Sequence, residues 1–280
     1  NETIKRIAES LEMKVEKEDA EGLNLLVPPY RVDVQRPCDV VEDILRIYGY
    51  NNVEIPTELK SSLTIAEEAD KNYHRENIIG EQLVGAGFSE IMNNSLTKSS
   101  YYEETGFNAY PWEETVKVMN PLSADLGVMR QTLLFGGLES IVRNVNRKAQ
   151  NLRFFEVGNV YKFNKEKWSE ESPVKAYSQD YHMALWVTGK RVQGSWAHPD
   201  EESSFYELKA HVENILRRIG VAQGLLVSEK SDNNVFDKAI ALKTRAGKVL
   251  VEMGILSHKL LKRFGLDQKV YYADLDWAGL

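Results

Sequence analysis

Ile4, Ile7, Ala8 and Leu11 recur at helical spacing, with Glu2, Lys5, Arg6 and Glu9 between them, which predicts an amphipathic first helix. Met13 and Val15 alternate, a turn-like run extends from Glu18 to Gly22, and Leu23 to Val27 is apolar, so a hairpin follows. Pro28 and Pro29 end it, because neither can donate to a ladder. The next helix carries Val40, Val41, Ile44, Leu45, Ile47 and Tyr48 on one side, with Glu42, Asp43 and Arg46 on the other. Gly49 stands just past its end, the position that favours glycine. Helix, hairpin, helix makes a small α+β unit over residues 1–60, with winged-helix-like packing expected.

From Asn51 to Asp70 the periodicity fades around Pro56 and paired serines, so a linker is placed at 61–72. A larger domain is expected over 73–280. Ile78, Ile79, Leu83 and Val84 predict a helix stopped near Gly85 or Gly87, and strands are predicted at Phe88–Leu96 and Val116–Met119. A long helix carries Leu133, Leu134, Leu138, Ile141, Val142 and Val145. Leu152–Phe163 and Met183–Val187 have the β-branched and aromatic texture of strands. Glu207–Ile219 is helical again, stopped at Gly220. Ala239–Lys243 and Val249–Ile255 form a hairpin across Arg245-Ala246-Gly247, a short helix surrounds Leu260, and Val270–Leu275 is a last strand. Strands often follow one another without a crossover helix, so the fold class is α+β, with a mostly antiparallel sheet flanked by helices.

Composition narrows the classes. With 42% hydrophobic and 28% charged residues the 280-residue chain can build real cores, which excludes disorder, and the length implies about two domains. The single cysteine, Cys38, cannot pair within the chain, and a buried apolar role is expected for it; lack of a disulfide framework favours a reducing, cytoplasmic setting. No membrane-spanning run occurs. The sequence starts at Asn1 rather than Met, so it reads as a piece of a longer protein. Residues 1–60 hold 8 cations and 13 anions, net −5, and residues 61–280 hold 27 and 29, net −2. A broad grip on a nucleic-acid backbone would need a cationic face that this balance does not supply.

The stretch from Tyr30 to Tyr50 places four carboxylates, Asp33, Asp39, Glu42 and Asp43, around one helix start. Hard divalent cations take such oxygen clusters. Helix capping uses the same residue types: Asp39-Val40-Val41-Glu42 has capping-box spacing, with Asp39 in the capping position, and Glu42 with Arg46 is an i,i+4 pair worth about 0.3–0.5 kcal/mol.

The runs Pro28-Pro29-Tyr30-Arg31-Val32-Asp33, Asp39-Val40-Val41-Glu42-Asp43-Ile44 and Arg46-Ile47-Tyr48-Gly49-Tyr50-Asn51-Asn52 closely resemble the magnesium-associated domain of the bacterial phenylalanyl-tRNA synthetase beta chain family. The similarity continues through Asn120-Pro121-Leu122-Ser123, Met129-Arg130-Gln131-Thr132-Leu133-Leu134, Asn144 with Arg147, Phe155-Glu156-Val157-Gly158-Asn159-Val160-Tyr161 and Phe205-Tyr206-Glu207-Leu208-Lys209. These runs look like landmarks of that family's class II synthetase-like module. The resemblance implies that Asp33, Asp39, Glu42 and Asp43 are Mg²⁺ ligands at a site shared with the alpha chain. The family usually has glutamate at the fourth place, so the shorter Asp43 would act through a water. It implies further a cytoplasmic heterotetramer of two alpha and two beta chains that joins phenylalanine to tRNA(Phe), with ATP and phenylalanine bound by the alpha chain.

Adenylate formation needs fixed cations on the ATP phosphates, preferably arginines. By resemblance, the place of one class II arginine falls in Tyr161-Lys162-Phe163-Asn164, where Lys162 stands instead and no acid follows; Gly254-Ile255-Leu256-Ser257-His258 has no Gly-x-Gly and no arginine in register. A catalytically silent scaffold is therefore expected, with no catalytic residue in this chain. Two rivals are a stand-alone class II-like adenylate-forming ligase using Lys162, and a winged-helix RNA-binding module. His74, His182, His198, His211 and His258 are scattered without zinc-site spacing. Ser195 near His198 reads as a loop coincidence; Arg130, Arg143, Arg147, Lys148 and Arg153 read as an RNA-facing or solvated set, and Trp186 and Trp196 as core or interface aromatics.

Overall fold

The computed structural model describes residues 2–19, 22–58, 67–103, 106–222 and 224–280. They divide into two compact units, 1–66 and 67–280. The first unit contains α1 (Glu2–Ser10), the antiparallel pair β1 (Lys14–Asp19) and β2 (Gly22–Leu26), and α2 (Pro37–Tyr48). Helix α1 turns its apolar stripe inward, burying Ile7 and Ala8, and Met13 closes the same core. Gly49 has φ +95° and donates its N–H to the Leu45 carbonyl, so α2 stops where only a residue without Cβ is unstrained. Helix α2 buries none of its residues within the unit, and Cys38, expected to be buried, is exposed on its first turn.

In the second unit α3 (Glu68–Gly85) begins inside the segment expected to be linker; residues 61–66 lie outside the described ones. Then come β3 (Ser89–Glu90), β4 (Leu96–Thr97), β5 (Val128–Met129), α4 (Leu134–Asn146), β6 (Leu152–Phe163) and β7 (Tyr177–Thr188). The hairpin β8 (Lys190–Val192) and β9 (Glu201–Glu202) leads into α5 (Phe205–Arg218). The chain continues through β10 (Val227–Lys230), β11 (Phe236–Lys243), β12 (Val249–Leu256), α6 (His258–Arg263) and β13 (Val270–Asp276). Seven strands form one sheet in the order β10-β11-β12-β13-β7-β6-β3, antiparallel throughout except for the short parallel pair β3–β6. This is the expected α+β architecture, with a mostly antiparallel sheet flanked by helices.

The period of two along each strand sends alternate side chains to two separate cores. On β7, Met183, Leu185 and Val187 meet Ile79 and Leu83 of α3 and Leu208, Val212 and Ile215 of α5. Ala184 and Trp186 point the other way, toward Leu134, Leu138 and Ile141 of α4, with Tyr102, Phe107, Tyr110, Phe135, Phe236 and Tyr272 completing that layer. Each fully buried side chain of this size stabilises by about 1.5–3 kcal/mol. Helix α4 approaches the sheet this closely only because residue 137 is glycine: a Cβ there would overlap the Trp186 indole.

Two predicted strands shrink. The ladder of β3 ends after Ile91, whose N–H reaches the Phe155 carbonyl, because the next inward N–H, that of Asn93, is taken by the Glu156 carboxylate. Of Val116–Met119, only Lys117 makes a bridge, to Val128 of β5. Strand β10 lies at the sheet border with all four residues exposed, so it offers no inward apolar pattern to read.

Candidate functional site

Pro37 opens α2, and Asp39 sits in its third helical position rather than as the cap itself. Its Oδ2 accepts from the backbone N–H of Arg36 at 2.8 Å and of Gln35 at 3.1 Å, and its Oδ1 accepts from the Arg36 guanidinium at 3.0 Å. The Arg36 side chain, then these backbone donors, hold the Asp39 carboxyl well below the usual carboxylate range. Asp43 accepts from Arg31, which the chain folds back over the helix, and lies 3.7 Å from Arg46. Arg46 thus reaches Asp43 at i,i+3 in place of the expected i,i+4 partner Glu42. Asp33 and Glu42 are exposed. Among the described residues no three His, Cys, Asp or Glu side chains converge on one point. The donor set does not fit a magnesium cage as it stands, because two of the four acids already hold the chain's own guanidinium groups.

The second concentration of charge lies on the α4 side of the sheet. Glu156 interrupts the apolar strand β6 and is 1% exposed. Burying an unpaired carboxylate there would be prohibitive, and three hydrogen bonds to it compensate. Glu156 accepts from Arg130 Nη1 at 2.6 Å, from the Asn93 N–H at 3.1 Å and from Asn93 Nδ2 at 2.6 Å, while Ser140 Oγ donates to Asn93 Oδ1 at 3.0 Å and fixes that amide. Arg130 also donates from Nε to the Asn159 carbonyl at 2.8 Å and from Nη1 to the Asn93 carbonyl at 3.2 Å. Gly158 leaves the space the guanidinium occupies, since a Cβ there would strike Arg130 Nη2. Arg130, read from sequence as an RNA-facing or solvated cation, is therefore a core residue.

A cavity of about 220 Å³ opens beside this pair, lined among others by Asn93, Thr97, Arg130, Thr132 and Glu139. It is smaller than the roughly 300–1,000 Å³ of pockets that enclose drug-sized ligands. From Thr132 a polar chain runs along the same face of the sheet: its hydroxyl lies 3.4 Å from Tyr272 Oη, which donates to Asp274 Oδ2 at 3.2 Å, and Asp274 Oδ1 lies 2.6 Å from His182 Nδ1. Burial works against a charged His182, yet Asp274, backed by Asp276 and Asp180, outweighs it and raises the imidazole above its ordinary value.

The remaining sequence candidates have local partners. Lys162 is part-exposed and 3.6 Å from the Glu114 carboxylate. The stretch at 254–258 caps α6: Ser257 Oγ accepts from the Leu260 N–H at 3.3 Å, and the His258 N–H goes to Asp237. Arg153 is drawn to Glu207 at 2.8 Å. Ser195 and His198 meet through a turn, with the Ser195 N–H on the His198 carbonyl at 2.9 Å. Trp186 is fully buried, whereas Trp196 is 100% exposed. Sequence reasoning missed the role of Glu156, although a carboxylate inside the run Phe154–Val160 was a readable anomaly.

Comparison with known proteins agrees with this architecture. Residues 1–50 match the model of the tRNA synthetase B5 domain. The chain is 57% identical to the phenylalanine--tRNA ligase beta subunit of Bacteroides fragilis, 58% to that of Bacteroides thetaiotaomicron and 47% to that of Porphyromonas gingivalis, each over 279 residues. All of this chain is covered but only 34% of each relative, so it spans about a third of their length. Two solved pyrrolysyl-tRNA synthetase structures from Desulfitobacterium hafniense share this class II synthetase-like fold, 12% and 13% identical, TM-score 0.52 for both, covering 74% and 76% of this chain and 66% and 68% of theirs. At that identity the likeness is one of fold alone. Residues 55–277 match the model of the phenylalanyl tRNA synthetase beta chain CLM domain, and the chain belongs to the phenylalanyl-tRNA synthetase beta chain family.

Proposed function

We propose that this chain is the scaffold region of a phenylalanine-tRNA ligase beta chain: it positions a catalytic alpha chain that joins phenylalanine to tRNA(Phe) with ATP and Mg²⁺, and performs no chemistry itself. The observation that carries the reading is the state of the sheet's charged centre. A class II-like ligase needs cations facing a vacant cleft; here Arg130 is consumed by Glu156, the adjoining cavity is small, and Trp186, Tyr272 and Phe135 fill the neighbouring space. Lys162, the other candidate cation, stands beside Glu114. A cytoplasmic heterotetramer of two alpha and two beta chains belongs to the same proposal. Among the described residues no helix is long and apolar enough to cross a membrane.

The test is co-expression of the full-length beta chain with an alpha chain, followed by sizing and aminoacylation. Co-elution and charging of tRNA(Phe) are expected, with no ATP–pyrophosphate exchange by the beta chain alone. Exchange by the beta chain alone that disappears in Lys162→Ala would overturn the scaffold reading.

Magnesium at Asp33, Asp39, Glu42 and Asp43 enters the proposal only for the assembled protein, where an ion would have to displace Arg31 from Asp43 and Arg36 from Asp39. Asp39→Ala separates the two roles of that acid. Weaker assembly seen only with magnesium present would support metal binding; an equal loss with and without magnesium, worth about 1 kcal/mol, would assign Asp39 to the helix start.

A further inference from the structure

We draw no further inference here: the strongest candidate, the apolar cavity of about 400 Å³ between the C-terminal end of α5 and strands β10 and β11, rimmed by Lys209, Glu213 and Arg217, is an open apolar surface and nothing in the structure shows what covers it.

Discussion

Glu156 and Arg130 form a pair that is expensive to separate. Both are nearly excluded from solvent, so removing one leaves the other charged, buried and unpaired. Arg130→Met is expected to cost about 3–5 kcal/mol in denaturant unfolding, and adding Glu156→Gln in the same chain should recover part of that loss. His182 supplies a separate, pH-dependent contribution. Because its folded value lies above the ordinary 6.5, its stabilisation is complete below that pH and fades as pH climbs from about 6.5 through the raised value. His211, held down by burial, has the opposite slope below 6.5. Unfolding free energies measured from pH 5 to 9 for His182→Asn and the unmodified protein should therefore converge at the alkaline end. At this scale sequence reading was uneven. The acids around α2 were legible as helix-start residues but their partners were not: Asp39 stands third in the helix instead of at the cap, Arg46 meets Asp43 instead of Glu42, and Arg31 reaches Asp43 from 12 residues away. The burial of Arg130 was not legible either, because its partners Glu156 and Asn93 lie 26 and 37 residues away and only the fold brings them together.

Elements were legible where their periodicity met a packed neighbour. The stripe on α5 faces one core and successive residues of β7 face the two cores in turn, so apolar character and burial agree. A strand length was misjudged where pairing is cut by a side chain, as at Asn93, and β10, which faces solvent along its whole length, was not predicted. The α4–sheet contact has its own test. Gly137→Ala drives a methyl into the Trp186 ring, so α4 must retreat; a loss of about 1–3 kcal/mol is expected from overpacking, with a change in near-ultraviolet circular dichroism. An alanine that left stability unchanged would mean that the helix is not seated on the indole.

For the molecule as a whole, the two units differ sharply in what they bury. Among the described residues the first unit buries Ile7, Ala8 and Met13 as apolar side chains, whereas the second has a layer on each sheet face. Small cores are marginal by themselves. Residues 67–280 alone should retain a cooperative transition close to that of the 280-residue chain, while residues 1–66 alone should unfold at low denaturant; calorimetry of the three polypeptides checks this. Extra support for α2, with Val41 and Ile47 exposed, would then have to come from outside its unit.

The border strand β10 has a consequence for how such a protein can be kept at high concentration. It is four residues long, with Glu229 and Lys230 at its end and no apolar row along it. A seven-stranded sheet ending in a long, flat, greasy margin would recruit another copy, and then another. This one ends in a stub that offers a stranger few backbone groups and two charges, so crowding leaves it a discrete particle instead of the first rung of a fibre.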